Sequence, residues 1–85
     1  MPLDNSATLR YILPMKNMNF TATIEFLPGQ GAAIVALFDG AGEWSGAGRI
    51  EVRSRRHADL YDEGYRYASR AVACKGGTLD RYRAA

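Results

Sequence analysis

The chain has 85 residues, 47% of them apolar and 24% charged, with a net charge of +2. That is the length of one domain, with the composition of an ordinary globular one and a core a single layer of contacts deep. It argues against a multidomain architecture, an intrinsically disordered middle and a strongly basic protein that coats nucleic acid.

Residues 1–17 read two ways. Asp4, Asn5 or Ser6 could cap a short helix ended by Pro14, or Thr8 to Leu13 could form an edge strand. The first clear element follows. Phe20, Ala22, Ile24 and Phe26 alternate with Thr21, Thr23 and Glu25, which is the period of a strand with one buried face. Leu27 to Gly31 carries Pro28, Gly29 and Gly31 and reads as a reversal. Ala32 to Phe38 is almost wholly apolar and reads as a central strand. Asp39 to Ala47 reads as a glycine-rich loop, and Gly48 to Arg53 as a third strand with Ile50 and Val52 pointing inward. The short connections predict antiparallel pairing.

The hydrophobic period then changes from two to about 3.6. Ser54 is placed to cap a helix, and Ala58, Tyr61, Tyr65, Ala68 and Val72 fall on one predicted stripe. Gly64 beside that stripe implies a close approach to the sheet, and Gly76-Gly77 ends the helix. Thr78 to Ala85 reads as a polar tail, with Leu79 or Tyr82 docking back. The expected architecture is one α+β domain over 1–85. It has an ambiguous segment at 1–17, a three-stranded antiparallel sheet at 19–53, a long helix at 54–75 and a tail at 76–85.

Little here suggests catalysis. The one His and one Cys, His57 and Cys74, fall at opposite ends of the predicted helix, about 25 Å apart along its axis. They cannot form a nucleophile–base pair, and no cluster has zinc-ligand spacing. Gly40 to Gly46 follows an apolar strand, but its glycine spacing is wrong for a dinucleotide fingerprint and a strand follows it. The expectation is a protein that is not an enzyme and uses no cofactor or metal.

Binding is the better expectation. Trp44 stands among glycines, either folded on the core edge or offered to a partner, and Trp is enriched at binding hot spots. Nine of the eleven cations are Arg, which suits bidentate contacts to carboxylate or phosphate; the alternative is a high-GC genome, which enriches Arg, Ala and Gly together. Ser54-Arg55-Arg56-His57-Ala58 puts two Arg where helix N–H groups already make positive potential. An anion docking there would make that arrangement favourable. The single cysteine cannot close a disulfide within the chain, the start of the sequence lacks the pattern of a signal peptide, and no apolar run reaches membrane-spanning length. A cytoplasmic, soluble protein is expected.

Three strands and a closing helix, with the run Ser54 to Ala58 at the junction, resemble the second half of a double-stranded-RNA-binding domain, whose last helix begins with a similar basic run. The chain departs from that family at Asp59, Asp62 and Glu63, which put acid where the family carries base. In size and in its strand-strand-strand-helix order the chain also resembles the small phage-encoded anti-CRISPR proteins, and more distantly the antitoxin partners of small RNase toxins. The anti-CRISPR resemblance implies a stoichiometric inhibitor that blocks a nucleic-acid-handling complex by direct contact. The partner-binding residues expected under it are Trp44, Glu43, Asp39, Arg55, Arg56, Arg66 and Arg70. The alternative is nucleic-acid binding through Arg49, Arg53, Arg55 and Arg56. An exposed sheet edge would also serve a homodimer.

Overall fold

The structure is a computed structural model and describes residues 18–85. The expectations for residues 1–17 lie outside it. Four strands and one helix follow in the order β1 (Asn19–Leu27), β2 (Ala32–Phe38), β3 (Trp44–Glu51), α1 (His57–Cys74) and β4 (Thr78–Ala84). The sheet order is β3-β2-β1-β4. β1 and β2 pair antiparallel, as do β2 and β3, while β4 lies parallel to β1. The α+β class and the antiparallel three-stranded unit agree with the sequence.

The last segment differs from expectation. Residues 76–85 are not a tail: Thr78–Ala84 is a fourth strand, so the helix lies inside the chain order and the sheet is mixed. A bulge where Phe20 passes to Thr21 in the β1–β4 register interrupts the alternation. Beyond it Arg81 and Arg83 pair with Thr21 and Thr23, while Tyr82 pairs with Ala22. The interrupted period and the charge of Asp80, Arg81 and Arg83 hid the strand. The docking expected of Leu79 and Tyr82 is present, and both pack on the core.

The core lies between the helix and one face of the sheet. Phe20, Ala22 and Ile24 of β1 meet Ala33, Val35 and Leu37 of β2, Ile50 of β3, and Leu60, Ala68 and Val72 of α1. Burying each of the large side chains stabilises the fold by about 1.5–3 kcal/mol. The helical stripe is rotated from the expected one. Leu60, Gly64, Ala68 and Val72 are buried, whereas Ala58, Tyr61 and Tyr65 are exposed. The cause is Gly64. A Cβ there would collide with the Tyr82 hydroxyl and come within 2.8 Å of Ile24 Cδ1, so only glycine lets the helix settle this close.

The helix ends differ in how well they are closed. At the C-terminus Gly77 N–H donates to Val72 O and Gly76 N–H to Ala73 O, with Gly76 at φ 76°, which is a Schellman motif. The helix starts at His57 rather than Ser54, with Arg56 as an N-cap that offers no side-chain bond. Ser54 acts at one remove. Its hydroxyl donates to Asp59 Oδ2 and accepts from Arg56 N–H, and Arg56 Nε donates to the same carboxylate oxygen at 3.2 Å. The Ser54 bond first, and the Arg56 bond after it, hold the Asp59 carboxyl below its ordinary range.

Tyr82 ties β4 to the helix. Its hydroxyl donates to Tyr61 O at 2.6 Å, and the Tyr61 hydroxyl donates back to Tyr82 O at 3.2 Å. Burial pushes the Tyr82 phenol up to about 12, with Tyr61 and Asp62 pushing the same way. A phenol raised above its ordinary 10.0 favours folding while it is neutral. That contribution is full below pH 10 and is lost as pH rises through about 12. In an absorbance titration of tyrosinate, one late component is therefore expected, coupled to loosening of β4. Tyr82→Phe should remove it, and persistence of the late component in that variant would refute the assignment.

Candidate binding surface

The helix covers one face of the sheet. Among the described residues no element covers the other. Thr21, Thr23 and Glu25 of β1 point to it, as do Ile34, Ala36 and Phe38 of β2 and Arg81 and Arg83 of β4, by the alternation that buries their neighbours. β3 contributes Trp44, Ala47, Arg49 and Glu51. An apolar middle strand therefore carries apolar side chains on its open side as well, an arrangement typical of a sheet with both faces covered.

Trp44 is not in a loop. It is the first residue of β3, in register with Phe38, at a bulge between Leu37 and Phe38. It is 67% exposed, so it is not folded on the core edge. The loop is only Asp39 to Glu43, and Asp39 organises it. The Asp39 carboxylate accepts from the N–H groups of Ala41 and Glu43, each at 2.9 Å, and its own N–H donates to Glu43 O. Part of the hydrogen-bonding capacity that Asp39 was expected to offer a partner is thus used inside the loop. Glu43 is exposed beside Trp44.

The other expected contact residues lie elsewhere. Arg55 and Arg56 follow the far end of β3, seven strand steps or roughly 23 Å from Trp44. Arg66 and Arg70 lie on the outer side of the helix, two positions on from buried Gly64 and Ala68, and so face away from the sheet. Arg66 pairs with Glu63 at 3.4 Å, and Arg56 with Asp59 at 3.2 Å. The seven residues therefore form three separate groups.

The set expected for nucleic acid is partly gathered. Arg53 and Arg55 line a polar hollow of about 380 Å³ with Gln30, Gly31, Glu51 and Val52. Arg49 joins from the strand, hydrogen-bonded to Gln30 at 3.4 Å and paired with Glu51 at 3.2 Å. Arg55 has φ 62°, the left-handed conformation that costs a non-glycine residue roughly 1–2 kcal/mol. Gly31 makes room for it, since a Cβ there would come within 2.6 Å of Arg55 Cγ. Arg56 points into its own pair with Asp59 instead.

His57 begins the helix and stacks on Phe26 at 4.2 Å between ring centroids, and exposed Cys74 ends the helix. Among the described residues no group of three or more His, Cys, Asp and Glu side chains gathers to hold a metal ion, and no helix is long and apolar enough to cross a membrane. Sequence reasoning missed Arg81 and Arg83 as surface-forming residues. Their spacing of two, on either side of a docked Tyr82, was the available signal. Compared with protein-family models, curated proteins and solved structures, the chain matches none.

Proposed function

We propose that this protein is a non-enzymatic protein-binding module that works through the open sheet face with Trp44 as its anchor. In this reading it is a cytoplasmic inhibitor of the phage anti-CRISPR kind, which blocks a nucleic-acid-handling complex by contact and needs no cofactor. The observation that carries the reading is the exposure of Trp44, 67%, at the rim of a face that also presents Phe38. A large aromatic held by a strand pays little entropy on binding, and such residues dominate protein interfaces. Mixed charge around it suits a protein surface, where complementarity selects the partner. The test is affinity capture from host lysate with the wild type and Trp44→Ala, with and without nuclease. A defined complex recovered by the wild type after nuclease, and lost with Trp44→Ala, supports the reading. A recovery indifferent to Trp44 overturns it. An antitoxin role would appear in the same experiment as capture of a small toxin.

A second reading rests on the hollow around Arg53 and Arg55. Arg53 and Arg55 both line it, and a pair of arginines suits phosphate. If nucleic acid binds there, log affinity falls linearly with log salt, with a slope near the number of phosphate contacts. Arg55→Glu with Arg56→Glu then abolishes retention on RNA, and unchanged retention removes this reading.

A further inference from the structure

The open face has a second feature besides Trp44. Between the β2–β3 loop and β4 lies a hollow of about 370 Å³, lined by Thr21, Thr23, Phe38, Asp39, Gly42 and Arg83. Its lining is mostly apolar, with one charge at each side. Arg83 is in register with Thr23, and Arg81, two residues earlier on the same face, with Thr21. Among the described residues neither Arg makes an ion pair, although Arg49, Arg56 and Arg66 all do. Two exposed arginines thus occupy backbone positions about 6.6 Å apart along β4, in register with two threonines of β1, with Phe38 two strands away.

We infer that this hollow takes an acidic, extended segment of a partner protein, with a carboxylate on Arg81 and Arg83 and an apolar side chain against Phe38. The inference rests on the protein-binding reading above and gives the partner its chemistry. Guanidinium groups bind carboxylates through paired, charge-assisted hydrogen bonds, and the threonine hydroxyls can donate to the same oxygens. Side chains two positions apart in an extended segment point the same way, about 6.8 Å apart, so one can reach the arginines while the next reaches towards the ring. Charge selects against the other polyanion. Asp39 stands in the hollow and Glu25 and Glu51 lie on the same face, so a phosphate chain crossing the sheet would meet carboxylates. A single acidic side chain beside an apolar one avoids them. The like charges on β4 also disfavour a second copy pairing along that edge.

The probe is a fluorescein-labelled peptide of repeating Glu-Ser-Leu-Ser, compared by fluorescence anisotropy with its Gln-Ser-Leu-Ser counterpart and with labelled oligothymidine. The glutamate peptide should bind about tenfold or more tighter than the glutamine peptide. Arg81→Gln with Arg83→Gln should erase that difference, while the far-ultraviolet circular dichroism and thermal midpoint stay those of the wild type. Equal binding of the two peptides, failure of both to bind at millimolar concentration, a difference that survives the double substitution, or tighter binding of oligothymidine would each overturn the inference. The same double variant separates this failure from that of the parent reading. A captured complex that needs Trp44 but not Arg81 and Arg83 leaves the protein-binding module standing and removes its acidic partner.

Discussion

Phe20→Ala is expected to cost about 3–5 kcal/mol, the range for emptying an aromatic site in a packed core. Phe20 is 1% exposed and is the largest fully buried side chain. It is in register with Leu79 of β4, and its ring lies where a Cβ on Gly77 would come within 2.5 Å. The ring thus joins β1, the turn after the helix and the start of β4. Small domains have roughly 5–15 kcal/mol in all, so the variant should be largely unfolded or far less resistant to urea. A loss under ~1 kcal/mol by equilibrium denaturation would mean that β4 does not pack as described.

Trp44→Ala should leave that denaturation midpoint almost unchanged, because the side chain is mostly in solvent. Its effect is expected in binding, at least ~2 kcal/mol or about thirtyfold in affinity for the captured partner. The contrast between the two variants is the useful result. One should lose fold and binding together, and the other binding alone. An unchanged affinity with the fold intact would remove Trp44 from the interface.

The strands and helix were legible where one physical signal dominated. β2 was read residue for residue because seven apolar residues between turns admit little else. The inward face of β1 was read from its strict alternation. β3 began earlier than its sequence suggested, since Trp44 to Ala47, with Gly46 among them, read as loop although they lie in the strand. The helical stripe was misplaced because tyrosines were weighted as core. Tyr61 and Tyr65 instead flank Tyr82 at 4.6 and 5.6 Å between ring centroids, while Gly64 takes the buried position. The surface was less legible still. Composition identified Trp44 and the arginines, but only strand register could separate Arg81 and Arg83 from Arg66 and Arg70. Those two pairs face opposite sides of the molecule, and the spacing of two around Tyr82 shows it only once Thr78–Ala84 is known to be a strand.

The parallel pairing of β4 with β1 has a consequence for how the chain is made. β1 finds its first neighbour across a short turn but its second roughly sixty residues later. During synthesis the three antiparallel strands are made before β4, and until β4 arrives no other strand among the described residues pairs with the outer side of β1. That side can meet another nascent chain before β4 arrives to close it. Loss of only the final strand would leave a protein with most of its core residues present and an open first strand, prone to association rather than merely less stable.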